Sequence, residues 1–348
     1  MIDKNYCSSS YLTLRYVEDP EKEFCEGLHH QVFKQKPIND RTPIHTVNDI
    51  DYAIQQSFTE IKNERLGILL SGGMDSAILA SYMPGSDAYT FRFLNGTFQA
   101  EEMHRAEQYA RLYNLNLHYV DINWGIIDQC LDTVMEAKGA PVHSIEPQIY
   151  HAAKQAKLDG ISLMIIGDGS DYVFGGMDKL LSKDWGFNDF EKRYTYISPS
   201  EVLKAPVSMA YLFERYRIPE DKIDYLRFLQ DISIDESYAS YQNAFQAAGL
   251  PYLDPYASLY LAEPLDLSRI RNGESKYLIR QLFKMKYREL PVPEKVPMPR
   301  PVDNYFADWQ GPKRPEFLPN INMNQYNGNQ KWLLYCLERF LNIYDKNP

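Results

Sequence analysis

A short glycine turn that carries two hydroxyls and a carboxylate has the residue types of a phosphate site. It lies between the apolar segments 66–70 and 77–83 and contains Ser71, Gly72, Gly73, Asp75 and Ser76. Adjacent glycines let successive backbone N–H groups converge on an anion at the start of a helix, and both hydroxyls can donate to the same oxygens. A carboxylate cannot contact phosphate directly, so Asp75 implies Mg²⁺ between them. The turn therefore predicts a cradle for a magnesium-bound phosphate.

A second glycine turn follows another apolar segment. Residues 161–166 run directly into Gly167-Asp-Gly-Ser-Asp-Tyr-Val-Phe-Gly-Gly176. Parallel strands end at one edge of a sheet, so we expect Asp75 and Asp171 to face a single metal ion there. The alternative for Asp171 is a turn or cap for a helix that begins at Tyr172.

The elements around these turns alternate between strand and helix. The periodicity predicts strands at 66–70, 87–93, 115–122 and 161–166 and helices at 46–62, 99–113, 124–138 and 147–158. This alternation predicts an α/β fold with a parallel, doubly wound sheet that binds ligands at the carboxyl ends of its strands. Residues 11–17 alternate like a further strand. Beyond Gly176 the sheet pattern stops, and a mostly helical C-terminal lobe is predicted from segments 206–216, 223–248, 257–270, 274–287 and 331–344.

The overall composition limits the possible classes of function. A hydrophobic content of 44% predicts an ordered globular protein, and 348 residues suggest two lobes. The net charge of −10 argues against nucleic acid as the main partner. No segment has the character of a signal peptide or a membrane span, so we expect a cytoplasmic protein without membrane contact. The scattered cysteines predict reduced thiols: Cys7, Cys25, Cys130 and Cys336.

Both turns resemble motifs of known families. Ser71-Gly-Gly-Met-Asp-Ser76 resembles the signature of the PP-loop ATP pyrophosphatases, which cleave ATP between its α and β phosphates. The second turn resembles the Gly-Glu-Gly-Ser-Asp-Glu-Val-Phe-Gly-Gly segment of the asparagine synthetase family, with Asp168 and Tyr172 in place of its two Glu residues.

Two later segments extend the resemblance to the asparagine synthetases. Gly273-Glu-Ser-Lys-Tyr-Leu-Ile-Arg280 and Pro251-Tyr-Leu-Asp254 are similar to segments of that family, so the likeness covers about residues 45–300. It concerns the synthetase half only. The glutaminase half needs a cysteine exposed as the first residue after Met removal, where this chain has Ile2, so we expect that half to be absent.

The resemblance implies ATP and Mg²⁺ as cofactors. It implies Asp75 and Asp171 as metal ligands and Lys276 as the catalytic lysine that neutralises charge in the transition state. The alternative for Lys276 is a solvated helical stripe with Arg280 and Lys284. Further candidates for the nucleotide site lie in the turns, at the strand ends and in the proline-rich segment 291–301: Leu69, Leu70, Ser71, Gly72, Gly73, Ser76, Phe91, Ile166, Gly167, Lys295 and Arg300.

The substrate side departs from the family pattern. The family carries Glu or, in β-lactam synthetases, Tyr where this chain has Asp168, facing the acceptor and the incoming nitrogen. A shorter carboxylate can still orient or deprotonate an amine. Glu201 is a candidate partner for it, and the alternative for Glu201 is an exposed Glu at the start of a helix. The family also carries an Arg near Ser144 that holds the amino-acid substrate, which this chain lacks. Glu146 is therefore a candidate to meet a cationic substrate group, and the alternative is an ordinary surface Glu. Predicted substrate residues are Ser144, Glu146, Gly169 and Ser170.

Together these observations predict an ATP-dependent, AMP-forming amide ligase that adenylates a substrate carboxylate. The acyl group would pass to ammonia or an amine donor, with a separate ammonia-supplying protein as one source. The predicted domains are an N-terminal extension (1–60), a PP-loop ATP-binding α/β domain (61–205) and a helical lobe (206–348). The alternatives are an intramolecular cyclase resembling β-lactam synthetases, a PP-loop tRNA-modifying enzyme and a non-catalytic ATP-binding protein. The net negative charge and the scattered cysteines argue against the tRNA-modifying enzyme.

Overall fold

The computed structural model describes residues 1–33, 35–94, 100–296 and 298–345. Its strands are β1 Thr42–Ile44, β2 Leu66–Leu69, β3 Asp87–Phe93, β4 Asn116–Ile122, β5 Leu163–Ile165, β6 Arg217–Ile218, β7 Lys222–Ile223, β8 Tyr252–Leu253 and β9 Leu259–Leu261. The α-helices of the first half are α1 Lys4–Leu14, α2 Val47–Glu60, α3 Met74–Ala80, α4 Ala100–Leu112, α5 Trp124–Lys138, α6 Glu146–Leu158 and α7 Gly169–Val173.

The second half of the chain is mostly helical. Its α-helices are α8 Asp178–Leu181, α9 Phe187–Tyr194, α10 Pro199–Val202, α11 Ala210–Glu214, α12 Tyr225–Phe228, α13 Ile234–Ala248, α14 Leu267–Arg271, α15 Tyr277–Lys286, α16 Val302–Tyr305 and α17 Gly328–Tyr344. A π-helical turn, Leu229–Ser233, joins α12 to α13. No helix within the described part of the chain is long and apolar enough to cross a membrane.

Five strands form one parallel sheet in the order β4-β3-β2-β5-β8. The chain builds outward from β2 to β4 and then returns to place β5 on the other side of β2. In the register of the sheet, Ile68 of β2 pairs with Ala88 on one side and with Ile165 on the other. The strand order reverses between β2 and β5, which is where such sheets bind ligands. The turns that follow these two strands open at that point.

Helices cover both faces of the sheet. Side chains alternate along β5, so Met164 belongs to one hydrophobic core while Ile165 belongs to the other. Helices α5, α6 and α13 pack together on the first face, and α2, α3 and α15 pack together on the second. Burial on two faces explains why these strands read as continuous apolar runs. The predicted α/β fold with a doubly wound parallel sheet is confirmed.

The helix that leads into β2 is fixed by a capping box. The Thr46 hydroxyl accepts from the N–H of Asp49 at 3.3 Å, and the Asp49 carboxylate accepts from the N–H of Thr46 at 2.8 Å. Three residues at helical spacing, Ile50, Ile54 and Phe58, are buried on its inner face. The capping residues and the apolar stripe are both evident in the sequence. The predicted helix therefore differs from α2 only at its ends.

The strand predicted at residues 11–17 is wrong, because these residues belong mainly to helix α1. Nearly every side chain of α1 is buried whatever its polarity, so no apolar stripe marks it as a helix. Its polar side chains return to the helix backbone: the hydroxyls of Ser9 and Thr13 donate to carbonyls one turn earlier, both at 2.8 Å. Helix α1 ends at Arg15, which has a left-handed φ of 69°.

The prediction that the sheet pattern stops at Gly176 is also wrong. Strand β8 pairs with β5 as the fifth strand of the sheet, and β9 pairs in parallel with β1. Strands of two or three residues carry too little alternation to be read from sequence. Segment 257–270, predicted as helical, is helical chiefly from Leu267. Gln99, predicted as the first residue of its helix, lies outside the described residues.

Candidate active site

The turns after β2 and β5 meet at a cluster of charged side chains. Nζ of Lys276 lies 2.7 Å from Oδ2 of Asp75 and 2.7 Å from Oδ1 of Asp171. The Ser170 hydroxyl donates to Oδ1 of Asp75 at 2.6 Å and ties the two turns together directly. Residues from three distant parts of the chain thus form one site at the carboxyl edge of the sheet. We call Asp75, Asp171, Lys276 and Lys295 the lysine centre.

The backbone holds Lys276 in an uncommon conformation. Lys276 is the cap residue of α15 and has a φ of 51° and a ψ of 40°, in the left-handed region that few residues with a side chain adopt. Its side chain is only 3% exposed, so it does not belong to a solvated stripe. Gly176 makes room for it, because a Cβ there would lie 2.2 Å from Cε of Lys276. Backbone conformations of this kind are concentrated at functional sites.

Positive and negative charges balance in the lysine centre. Lys295 lies 2.7 Å from Oδ1 of Asp171 and also donates to the carbonyl of Gly176. Burial alone would lower the pKa of Lys276, but the Asp75 and Asp171 carboxylates outweigh it and raise that pKa above its ordinary value. Burial acts to raise the pKa of Asp171, and the two lysines reverse the effect and lower it. Lys276 and Asp171 are therefore both charged at neutral pH.

The first glycine turn is stabilised by its own hydroxyls. Oγ of Ser76 accepts from the N–H of Ser71 at 3.0 Å, and Oγ of Ser71 accepts from the N–H of Gly73 at 3.1 Å. Gly72 lies against α4, where a Cβ would come within 2.5 Å of the Glu102 carbonyl oxygen. The turn is thus tightly packed, and hydrogen bonds to the Ser71 and Ser76 hydroxyls fix its backbone conformation.

The residues predicted to recognise adenine lie at the ends of the central strands. The N–H of Leu70 donates to the Tyr89 carbonyl at 2.8 Å, and the N–H of Ile166 donates to the Leu253 carbonyl at 3.0 Å. These two donors are therefore committed to the sheet. Leu69 ends β2, Phe91 is a half-buried residue of β3, and Gly167 follows β5. Their role in adenine binding stays a prediction.

Asp168 lies on the opposite side of the second turn and contacts α13. The Ser237 hydroxyl donates to Oδ2 of Asp168 at 2.8 Å. Burial raises the pKa of Asp168 well above its usual range, and the nearby Asp254 carboxyl raises it further. A carboxyl group with a raised pKa can exchange a proton with a substrate amine closer to neutral pH.

Asp254 accepts hydrogen bonds from the backbone next to Asp168. Its carboxylate accepts from the N–H of Gly169 at 2.6 Å and from the N–H of Tyr256 at 3.1 Å. Burial raises the pKa of Asp254 to about 7, although these backbone donors act against the rise. Neither Asp254 nor Ser237 is among the site residues predicted from the sequence. The resemblance of the Pro251-Tyr-Leu-Asp254 segment to the family motif could have identified Asp254. No sequence pattern marks Ser237.

Two predicted residues require correction. Glu201 lies exposed on α10, where its carboxylate accepts from the Tyr326 hydroxyl at 3.4 Å, so the partner of Asp168 is Ser237 rather than Glu201. Glu146 is fully buried and bonded internally. Its carboxylate lies 2.5 Å from Nζ of Lys138 and 2.7 Å from the amide nitrogen of Asn243, so it is not open to a cationic substrate group.

A second charged cluster lies next to Asp168. Its Arg300 was predicted for the nucleotide site but contacts His143 instead, and the sequence did not predict the cluster itself. Arg15 donates from Nη1 to Nε2 of His143 and from Nη2 to Oε2 of Glu236, both at 2.7 Å. Arg300 approaches the same His143 nitrogen at 3.4 Å. Glu236 precedes Ser237 on α13, which joins this group to the Asp168 side of the site. We call Arg15, His143, Glu236 and Arg300 the arginine cluster.

The parallel sheet and its charged strand-end turns define an α/β protein with a candidate ligand site at the point where the strand order reverses. The asparagine synthase family matches residues 60–266, which is more than half of the chain. The chain belongs to this family. The match contains Asp75, Asp168 and Asp171, whereas Arg15, Lys276, Lys295 and Arg300 lie outside it.

Two curated proteins show the extent of the similarity. The chain is 27% identical over 177 residues to "Putative asparagine synthetase (glutamine-hydrolyzing) 1" of Methanocaldococcus jannaschii, a match that covers 46% of this chain and 30% of that protein. It is 24% identical over 226 residues to "Probable asparagine synthetase (glutamine-hydrolyzing)" of Schizosaccharomyces pombe, covering 54% of this chain and 40% of that protein. The chain thus spans less than half the length of either relative.

Among solved structures, the nicotinamide mononucleotide (NMN) synthetase of Francisella tularensis matches 73% of this chain and 100% of its own. The identity is 12% and the TM-score is 0.29. Similarity at this level supports no functional argument.

Proposed function

We propose that this protein is an ATP-dependent, AMP-forming amide ligase that activates a substrate carboxylate and transfers its acyl group to ammonia or an amine. Membership of the asparagine synthase family supports a ligase that uses ATP. The observation that carries the proposal is the contact of Lys276 with both Asp75 and Asp171. This contact joins the two strand-end turns to a buried cation, and a fixed cation there can stabilise the charge that develops when a carboxylate is adenylated.

The lysine centre fits a magnesium ion. Asp75 and Asp171 each direct an oxygen at one cation, the Lys276 ammonium, so the two carboxylates converge on a common point. Mg²⁺ is usually bound through one or two carboxylates together with water and substrate phosphates. Asp75 and Asp171 would therefore hold the ion. When bound, it would neutralise negative charge on the departing pyrophosphate.

The lysines would act on the charge that develops during adenylation. A carboxylate oxygen of the substrate attacks the α-phosphorus of ATP, the α–β phosphate bond breaks, and pyrophosphate leaves. Negative charge builds on the α-phosphate oxygens in this step, and a fixed cation in a water-poor site stabilises it. Lys276 is buried, protonated and held by an uncommon backbone conformation. We assign this stabilisation to Lys276 and assign binding of the outer phosphates to Lys295.

Asp168 would serve the second half of the reaction. The amine attacks the acyl carbon, the bond to AMP breaks, and the nitrogen loses a proton. The raised pKa of Asp168 suits it to take that proton, and the Ser237 hydrogen bond orients its carboxyl group. Gly169 and Ser170 lie between Asp168 and the lysine centre, which supports their predicted place beside the substrate.

Pyrophosphate release from ATP tests this proposal. The full chain is assayed with magnesium across a panel of carboxylates, with ammonium as the nitrogen source, in the wild type and in Asp75→Asn. We expect release that depends on a carboxylate and on magnesium and is lost in Asp75→Asn. Asp178→Asn, an exposed substitution on α8, is the matched control. Release that requires tRNA, or no release with any carboxylate, would reject the ligase. Formation of a cyclic amide from a substrate that carries its own amine, without added ammonium, would point to an intramolecular cyclase.

A further inference from the structure

A cavity of about 90 Å³ lies between the N-terminal extension and the π-helical turn that joins α12 to α13. Residues 16–18 and 30–33 form one wall, and the π-helical turn and the start of α13 form the other. A cavity of this size has room for several water molecules or one small organic ion, and it is too small for a nucleotide. Its first wall lies outside the residues that the asparagine synthase family matches.

The wall from the N-terminal extension is fixed to the end of α5. The N–H of Gln31 donates to the Lys138 carbonyl at 2.9 Å, and the Gln31 side-chain amide donates to the Ala137 carbonyl at 2.7 Å. Gly139 permits this approach, because a Cβ there would overlap the His29 carbonyl. The opposite wall contains the π-helical turn, and such turns occur frequently at functional sites. The cavity is therefore bounded by anchored backbone on one side and by an unusual helical turn on the other.

Three carboxylates line the cavity, and one of them has no cationic partner. Glu18 and Asp231 each pair with an arginine, at 2.8 Å and 3.5 Å. Asp235 accepts a hydrogen bond from the Gln35 side-chain amide at 3.2 Å. Within the described ranges, no Lys, Arg or His lies within ion-pair distance of Asp235. This carboxylate is thus left without a counter-charge.

The surroundings of Asp235 do not offset its burial. Burial raises the pKa of Asp235, the Gln35 amide acts against the rise, and the neighbouring Asp231 carboxylate adds to it. Lys138 also lines the cavity, but its Nζ lies 2.5 Å from the Glu146 carboxylate and is already paired. A cation bound in the cavity would supply the counter-charge that Asp235 lacks.

A buried histidine in the same cavity has unused hydrogen-bonding capacity. His30 is 9% exposed, and among the residues that the structure describes neither of its ring nitrogens has a hydrogen-bond partner with ordinary geometry. Burial lowers the pKa of His30, so the ring is neutral at pH 7 and offers one nitrogen as an acceptor. Buried polar groups are nearly always hydrogen-bonded. The histidine and Asp235 together point to a ligand that carries positive charge and donates hydrogen bonds.

The rest of the lining is mostly apolar, and it is separate from the second glycine turn. Val32 and Asp231 are the exposed lining residues and mark the opening to solvent. The Phe33 ring packs edge-on against Tyr238 at 5.1 Å, and Tyr238 packs against Tyr172 at 5.7 Å. Aromatic side chains therefore lie between the cavity and the turn that carries Asp171.

We propose that this cavity binds a small protonated amine, either ammonium or a short primary alkylammonium, with Asp235 as its counter-charge and His30 as a hydrogen-bond acceptor. An ammonium group donates in several directions, which suits a carboxylate and a neutral imidazole on one ligand. The apolar walls would cover a short alkyl chain. The site is distinct from the lysine centre, and the inference does not depend on the ligase function. It gives the N-terminal extension a role in ligand binding.

Calorimetric titration of matched amines and alcohols tests the proposal. Ammonium, methylammonium, ethylammonium, propylammonium and hexylammonium chlorides are titrated into the full chain at pH 7, with sodium chloride holding the ionic strength constant. We expect at least one alkylammonium to bind at least about tenfold more tightly than the alcohol of the same chain length, since a charge-assisted hydrogen bond contributes that much. Equal binding of amines and alcohols would overturn the proposal.

The chain-length series distinguishes the two sources of the amine. Affinity that rises by up to about fourfold for each buried methylene and falls again at hexylammonium would identify a short organic amine that fills the cavity. Ammonium that binds as tightly as any alkylammonium would identify ammonium itself. Affinity that still rises at hexylammonium would contradict a cavity of this size.

Two substitutions locate the amine. Asp235→Asn should raise the Kd at least about tenfold, and His30→Phe, which keeps a ring and removes the acceptor, should raise it at least about threefold. Asp178→Asn, an exposed substitution on α8, is the matched control and should leave the Kd unchanged. Urea denaturation checks that each variant folds. Wild-type affinity in a folded Asp235→Asn or His30→Phe protein would overturn the assignment.

The amine site and the ligase fail independently. Amine binding that survives Asp235→Asn and is lost in Asp168→Asn would place the amine at the nitrogen-transfer step, which rejects the cavity site and supports the ligase. Amine binding that depends on Asp235, in a protein that releases no pyrophosphate with any carboxylate, would support the cavity site and reject the ligase.

Discussion

The lysine centre and the arginine cluster each bring two cationic side chains together, but they differ in charge balance. Two lysines face two aspartates in the first, and one oxygen of each aspartate lies 2.7 Å from an ammonium nitrogen. In the second, two arginines face one glutamate and a neutral histidine. An unbalanced centre is suited to receive an anion.

The buried pair Lys138 and Glu146 shows what a purely structural ion pair looks like in the same molecule. Both residues are buried, and the Glu146 carboxylate also accepts from the N–H of His143 at 2.8 Å and from Asn243. Both carboxylate oxygens of Glu146 therefore have hydrogen-bond partners. Burial of a charged pair therefore does not by itself identify a candidate binding site.

The largest expected effect is the loss of stability when one partner of the Lys138–Glu146 pair is removed. Glu146→Ala leaves the Lys138 ammonium buried without a counter-charge, so we expect the free energy of unfolding to fall by about 3–5 kcal/mol. Urea denaturation measures it, with the exposed Glu289→Ala as the control. A loss of stability below about 1 kcal/mol, together with a raised KM for the acceptor, would instead support a role for Glu146 in substrate binding.

The next effect concerns turnover at the lysine centre. Lys276→Ala removes the cation assigned to the transition state, so we expect pyrophosphate release to slow at least about a hundredfold, or about 2.7 kcal/mol in activation free energy. Lys284→Ala, on the exposed face of the same helix, should stay within about twofold of the wild type. Similar rates for the two variants would remove Lys276 from the mechanism.

The smallest effect is a pH dependence of stability. Burial raises the pKa of Asp254 to about 7, above the ordinary value of 3.8, so the folded protein binds a proton that the unfolded chain has released. The contribution of this group to stability is therefore present at low pH and is lost as pH rises through 7, by about 1–2 kcal/mol between pH 5 and pH 7. Asp168 acts with the same sign.

Asp254→Asn should flatten this profile. The measurement is urea denaturation at pH 5, 6, 7 and 8 in the wild type and the variant. An unchanged slope in the variant would show that Asp254 is ionised in the folded protein throughout this range.

Much of the lysine centre could be predicted because its parts lie in continuous motifs. The glycine turns that carry Asp75 and Asp171 follow strands with long apolar runs, and Lys276 follows a glycine at the start of an amphipathic helix. The parallel order of the sheet places such turns together without further information. Each of these signals is local, and the fold adds only their proximity.

The arginine cluster carried no such signal. Arg15 ends a helix whose buried serines and threonine hid its periodicity, and Arg300 lies in a proline-rich segment without a repeating pattern. Strand β8, which places Asp254 beneath Asp168, has only two residues. Contacts between single residues of irregular segments depend on the whole fold, and local propensity does not encode them.

Magnesium-ATP binding in a double-mutant cycle tests the central claim, that Asp75 and Asp171 hold one ion, most directly. Calorimetry with Asp75→Asn, Asp171→Asn and the double variant, with magnesium and with EDTA, gives the coupling energy between the two sites. If they share an ion, each single variant weakens binding at least about tenfold, the double variant is little worse than either, and the coupling disappears in EDTA. Strictly additive losses, or coupling that is the same without magnesium, would contradict the account.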